Sequence, residues 1–307
     1  RKVFDLGAKL SDPINLSIGQ PDFDVPEPIK AAAIEAIRAG RNGYTVTQGI
    51  PALRERIEAG LKAQYGSLDG TGVLVTSGVS GGIQLALMVL LDPGDEVIIP
   101  DPYFVIYKHA VRLLGGTPVF VDTYPDFRLR MDRVEAAITP RTRAVIFVHL
   151  HGNPSGVVQV RDVCERHGLV LIEDCAQAHG AWVRLAGQEH PRHAGTFGRL
   201  GCFSFFPAKN LGAFGDAGAV VTSEEALATF ARRLVNHGRQ DKYVHIFEGY
   251  NYRIDTLQAA VLSVRLPRLQ QAVERRNAIC ARYEAGLAGL PVAFQKMTVE
   301  GIHARHQ

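Results

Sequence analysis

Apolar runs of strand length alternate with longer runs of helix length from about residue 73 to residue 222, and this rhythm limits the possible folds more than any other feature. Residues 73–76, 96–100, 119–121, 143–148 and 169–173 read as strands. Residues 82–91, 103–114, 131–138 and 160–167 read as the helices between them. Strands separated by helices form parallel sheets covered on both faces, and buried parallel strands are apolar almost throughout, as these are. Two later apolar runs, 202–206 and 219–222, have no helical pattern between them, which admits one antiparallel member. The expected fold is therefore α/β, a mostly parallel seven-stranded sheet flanked by helices. Asp92-Pro93-Gly94-Asp95 marks a turn, and Pro267 precedes a charged helical pattern over 268–287. That break divides the expectation into a large domain over 1–264, with an N-terminal arm over 1–40, and a partial small C-terminal domain over 265–307.

The 307 residues suffice for a large core, and 46% hydrophobic with 21% charged residues is a globular composition. A net charge of +3 gives no reason to expect nucleic acid or a membrane surface as partner. No apolar run approaches the length of a membrane span, and no signal core follows Arg1-Lys2, so a cytoplasmic location is expected. The missing initiator Met suggests a trimmed or fragmentary N-terminus. Cys164, Cys175, Cys202 and Cys280 are far apart and lack CxxC spacing, and the eleven histidines lack HExxH. The cysteines read as reduced core thiols, and no metal site is expected.

In open parallel sheets, ligands bind beyond the carboxyl ends of the strands, and residues that can carry chemistry gather there. Lys209 follows the apolar run Cys202-Phe203-Ser204-Phe205-Phe206 at the edge of a glycine-containing loop. Burial of its amine would favour the neutral, nucleophilic form. Asp174 closes the run 169–173, where it can face the ring nitrogen of a cofactor or cap the next helix. A reactive lysine and a carboxylate at a strand end are two parts that pyridoxal phosphate needs. Gly78-Val79-Ser80 follows a strand and opens a helix, so its backbone N–H groups can meet a phosphate; a plain turn is the alternative. Gln177 and Asn153 can reach a phenolic oxygen or simply shape turns. Phe104 can stack on a flat ring or belong to the core.

These motifs resemble known families. Residues 14–23 (Ile14-Asn15-Leu16-Ser17-Ile18-Gly19-Gln20-Pro21-Asp22-Phe23), Gly43-Tyr44-Thr45, Gly49, the turn 92–97 and Asn153-Pro154-Ser155-Gly156 are similar to class I aminotransferases. Glu173-Asp174-Cys175-Ala176-Gln177-Ala178-His179-Gly180, the 204–212 segment, Asn236-His237-Gly238 and the 249–255 segment resemble DegT/StrS-type sugar aminotransferases. The change of resemblance falls between about residues 143 and 157, and a chimera, natural or engineered, is the expectation.

The resemblance implies a fold-type I pyridoxal-phosphate transferase, usually a homodimer with shared active sites. It implies Lys209 as the Schiff-base lysine, Asp174 as the ring-nitrogen partner, and Gln177 or Asn153 near the ring hydroxyl. Ser204 and Gly78-Val79-Ser80 match phosphate ligands, and Phe104 matches a stacking aromatic. Tyr44 and Asn251 match residues that reach the neighbouring subunit's phosphate. The implied activity moves an amino group from an amino acid, glutamate or glutamine, to a keto-sugar nucleotide or a 2-oxo acid. The alternatives are a pyridoxal-phosphate lyase or racemase, or an inactive chimera that only binds the cofactor.

Overall fold

The structure, a computed structural model, describes residues 6–7, 9–11, 24–41, 43, 45–65 and 72–305. The first long helices among the described residues are α1 (Glu27–Arg38) and α2 (Pro51–Tyr65). The expected alternation then appears as β1 (Gly72–Thr76), α3 (Val79–Leu90), β2 (Glu96–Asp101), α4 (Ile106–Leu113), β3 (Thr117–Asp122), α5 (Met131–Ala136), β4 (Thr142–Val148), α6 (Val157–His167) and β5 (Val170–Asp174). Two short strands, β6 (Trp182–Val183) and β7 (Arg192–His193), precede β8 (Leu200–Ser204) and β9 (Gly218–Thr222). The chain continues through α7 (Glu225–Leu234), α8 (Thr256–Arg265), α9 (Leu269–Gly286) and β10 (Gly301–Ile302).

Seven strands form one sheet in the order β1-β9-β8-β5-β4-β2-β3. Neighbours from β3 through to β8 are parallel, and β9 runs antiparallel to both β8 and β1. The single reversed strand comes from the missing helix between β8 and β9, because a parallel pair needs a crossover. β10, β6 and β7 make a separate antiparallel sheet.

The period-two alternation of strands divides the core between two faces. Val97, Ile99, Ala144, Ile146, Val170 and Ile172 point to one face, where Ile83 and Leu87 of α3 and Tyr107 and Val111 of α4 cover them. Their neighbours Ile98, Val145, Phe147 and Leu171 point to the other face and pack on Val157, Val160 and Val163 of α6. Towards the β1 edge, Val73, Val75, Ala219 and Val221 meet Ala259 and Leu262 of α8. Val273 of α9 packs with Cys175, Ala178 and Ala304, which ties the last described residues to the end of β5.

α4 is shorter than its sequence pattern in a way that bears on the site. α4 starts at Ile106 rather than at residue 103, so Pro102, Tyr103 and Phe104 remain in a loop at the carboxyl end of β2 and line a cleft there.

Gly218 shows how tightly this end of the sheet is built. A Cβ at this position would lie 2.5 Å from the backbone carbon of Gly78 and 2.6 Å from the carbonyl oxygen of Phe203. Gly218→Ala is expected to displace the turn that opens α3 and to cost about 2 kcal/mol. Chemical denaturation of the two proteins measures this, and superimposable curves would contradict the packing described.

Candidate active site

The carboxyl ends of β1, β2, β4, β5 and β8 lie on one side of the sheet, because these strands share a direction, and a cleft of about 860 Å³ opens there. Ser77, Gly78, Val79 and Ser80 form one wall. Phe104 and Tyr107 form another, and His149, Asp174, Gln177, Ser204 and Lys209 complete the cleft. The sheet thus brings together eight residues named from the sequence as site candidates: Gly78, Val79, Ser80, Phe104, Asp174, Gln177, Ser204 and Lys209.

Each wall has a local cause. Gly78 takes φ +114°, a conformation that L side chains rarely adopt, so the chain turns sharply from β1 into α3. No side chain caps α3. Its first N–H groups and the positive end of its dipole are therefore presented beside the cleft, an arrangement suited to an anion. Phe104 keeps 57% of its surface exposed, so its ring is available to a flat ligand. Ser204 ends β8 and is buried; its Oγ accepts a hydrogen bond from the Phe206 N–H.

Asp174 is 4% exposed, and both of its oxygens are held. Oδ2 accepts from the Tyr107 hydroxyl at 2.5 Å, and Oδ1 accepts from the Ala176 N–H at 2.8 Å. Burial raises the carboxyl above its ordinary range, and the bonds from Tyr107 and Ala176, with the nearby Lys209 and His149 side chains, oppose that rise. Lys209 is partly buried on the same cleft. Burial lowers its amine below the ordinary lysine range, with the Asp174 charge pulling the other way.

Two of the expected residues do not line this cleft, and a third is not described. Asn153 does not line the cleft. It is buried beside it, accepting from the Ser155 N–H at 2.9 Å and donating to the Lys296 carbonyl at 3.1 Å, so it shapes a turn and anchors the 296 segment. Asn251 is exposed and bridges to Asn236 away from the cleft. Tyr44 lies outside the described residues, as does the 14–23 motif. Gln177 lines the cleft, and its Oε1 accepts from the His151 N–H at 2.7 Å.

The sequence reading missed Tyr107, which stands three residues after Phe104, its N–H closing a turn onto the Phe104 carbonyl at 3.1 Å. It also missed the buried pair His149 and Glu173. Glu173 accepts from the Gly195 N–H at 2.7 Å and the Gly198 N–H at 2.6 Å. It meets His149 Nε2 at 2.8 Å. A carboxylate so engaged is an acceptor only, so Nε2 donates and Nδ1 is left as the free nitrogen. Nδ1 is buried with no hydrogen-bond partner among the described residues. His149, Glu173 and Cys175 bring their potential ligand atoms within 4.8 Å of one another. This donor set suits a metal poorly: backbone donors occupy both Glu173 oxygens, and burial pushes the Cys175 thiol well up, away from the thiolate that binds metals.

The site fits pyridoxal phosphate on its own chemistry. An uncapped helix N-terminus suits the phosphate, a fixed carboxylate suits the ring nitrogen, an exposed aromatic face suits the ring, and a lysine amine shares their cleft. The unpartnered His149 Nδ1 is a buried polar atom that a bound polar group can satisfy.

Known proteins agree with this fit. The DegT/DnrJ/EryC1/StrS aminotransferase family model matches residues 28–307. The dTDP-3-amino-3,4,6-trideoxy-alpha-D-glucose transaminase of Streptomyces venezuelae is 46% identical over 236 residues, which are 76% of this chain and 60% of that protein. Among solved structures, S. venezuelae DesV has a TM-score of 0.79 at 40% identity, with 91% of this chain and 72% of that one covered. NtdA of Bacillus subtilis, determined with bound cofactor PMP, has a TM-score of 0.76 at 29% identity over 95% of this chain and 66% of that one. The chain spans 58–66% of the length of the first three curated relatives it matches. The family depends on pyridoxal phosphate. The expected join between two families near residues 143–157 finds no support, since one family model runs through that segment without a break. The chain belongs to the DegT/DnrJ/EryC1/StrS aminotransferase family.

Proposed function

We propose that this chain carries the catalytic centre of a pyridoxal-phosphate-dependent aminotransferase that moves an amino group from glutamate or glutamine to a keto-sugar nucleotide. One observation carries the reading. The Lys209 amine and the Asp174 carboxylate face the same cleft, with an uncapped helix N-terminus beside them. When bound there, pyridoxal phosphate supplies an electron-withdrawing ring that stabilises negative charge on a substrate carbon. The protein's share is holding and proton transfer. The N–H groups of Val79 and Ser80 with the Ser204 hydroxyl hold the phosphate. Phe104 covers the ring face, Asp174 meets the ring nitrogen, and Gln177 lies near the ring hydroxyl. With the cofactor bound, Lys209 would hold its aldehyde carbon through Nζ, the carbonyl oxygen leaving as water, and when free it would carry a proton at that atom. Burial lowers the proton affinity of this amine, with the Asp174 charge opposing, which favours handing its proton on.

The lining supports a sugar as acceptor. Lys209 is the only Lys or Arg among the described lining residues, so a carboxylate entering there meets no guanidinium from them. Tyr103, Phe104, Phe127 and Phe206 give the mouth an aromatic surface suited to sugar and base rings. The relative from S. venezuelae is named for a dTDP-sugar. The carboxylate of the amino-acid donor needs a cation that these residues lack, and the proposed source is a second copy of the chain. Exposed Asn251, outside its own cleft, and Tyr44 are proposed to reach the phosphate of that neighbouring copy. No helix among the described residues is long and apolar enough to cross a membrane.

Two outcomes are expected. Protein incubated with pyridoxal phosphate should develop a visible absorbance band that glutamate discharges, and a keto-sugar nucleotide should restore the band faster than a 2-oxo acid does. Lys209→Ala should lack the band and lose at least about 10³-fold in amino transfer. A colourless unaltered chain in excess pyridoxal phosphate would end the reading.

The second concerns the apoprotein. Burial raises the Asp174 carboxyl in the folded state, so the folded chain binds this proton more tightly than the unfolded chain. The resulting stability is present at low pH and is lost as pH rises from the ordinary carboxylate range, about 4, through the raised folded value. Asp174→Asn should remove that fall. Melting temperatures of the two apoproteins across this window measure it, and parallel profiles would refute the assignment.

A further inference from the structure

We propose that Tyr107 is a positioning residue for the cofactor ring and acts through Asp174, an inference that rests on the pyridoxal-phosphate reading above. Tyr107 lies in the first turn of α4 and is 1% exposed. Its hydroxyl donates to Asp174 Oδ2 at 2.5 Å. Its ring meets Phe104 edge-on, with centroids 6.1 Å apart and planes at 66°. One side chain therefore touches both residues proposed to hold the ring, the aromatic face and the carboxylate.

The chemistry of that contact is specific. A phenol bonded to a carboxylate makes a short, charge-assisted hydrogen bond. The proton stays on the phenol, because burial and the Asp174 charge both oppose phenolate formation. With the Ala176 N–H on Oδ1 and Tyr107 on Oδ2, the carboxylate cannot rotate about its last torsion without breaking a bond. Each oxygen keeps a second lone pair, so a ring N–H can still be accepted. Tyr107 thereby fixes the plane in which Asp174 offers that lone pair.

Tyr107→Phe removes the donor and keeps the ring that packs on Phe104; Tyr107→Leu serves as a second donorless variant should the first fail to fold. The readouts are the dissociation constant for pyridoxal phosphate, the ring ¹⁵N chemical shift of the labelled cofactor bound to the protein, and the apoprotein melting temperature. Loss of one charge-assisted bond should weaken cofactor binding about tenfold and move the ring ¹⁵N signal. In the Asp174→Asn background the same substitution should change neither, which identifies Asp174 as the route. A lowered apoprotein melting temperature with unchanged affinity and unchanged ¹⁵N shift would overturn the proposal in favour of a packing role. An undiminished effect in the Asp174→Asn background would overturn it too. If the unaltered chain binds no pyridoxal phosphate, the functional reading fails and this inference with it; binding without sensitivity to Tyr107 sinks the inference alone.

Discussion

A carboxylate buried at the end of a central strand is tolerable only when its oxygens are partnered, and the arrangement of this protein's cleft follows from how Asp174 meets that condition. The partners come from separate parts of the chain. Tyr107 reaches it from α4, and the Ala176 N–H comes from the turn that leaves β5. Lys209 contributes its charge from the loop after β8. Each contact fixes a neighbour. Tyr107 sets the edge against which Phe104 rests, and the turn at Ala176 carries Gln177 to the cleft. A residue that is expensive to bury thus organises the wall it belongs to.

Glu173, the adjacent residue, faces the opposite way and meets the same condition differently. Two backbone N–H groups and one imidazole satisfy it. These bonds tie the 195–198 turn and the end of β4 to β5 from below, while Asp174 faces the cleft from above. Period-two alternation makes the pair possible: consecutive acidic residues on a strand cannot share a face, so one holds the scaffold and the other is available for ligand. The free Nδ1 of His149 is what remains when one imidazole spans the two layers.

Much of this was legible along the chain. The strand and helix rhythm follows from periodicity, the missing helix between residues 202–206 and 219–222 admitted one antiparallel strand, and Asp174 stands where an apolar strand pattern closes. The resemblance supplied the remaining candidates, and most of them converge. Asn153 does not, because a side chain of this type serves equally well in a turn, and which role it takes depends on Ser155 and Lys296, contacts the sequence does not announce. The presumed boundary between two families dissolved for a related reason. Short motifs shared across one fold can resemble two branches, whereas a model of the whole family weighs every position from residue 28 onward.

The linear order of residues by itself determined the layered α/β class, because backbone hydrogen bonding and the burial of apolar faces leave few alternatives for such a pattern. It also set which residue types stand at strand ends. Only the tertiary structure decided that Tyr107 donates to Asp174, that His149 is held by Glu173, and that Asn251 lies outside its own cleft. Those outcomes depend on distances of a few ångströms between segments tens of residues apart. Local propensity carries no information on such distances; crossing helices and strand register set them.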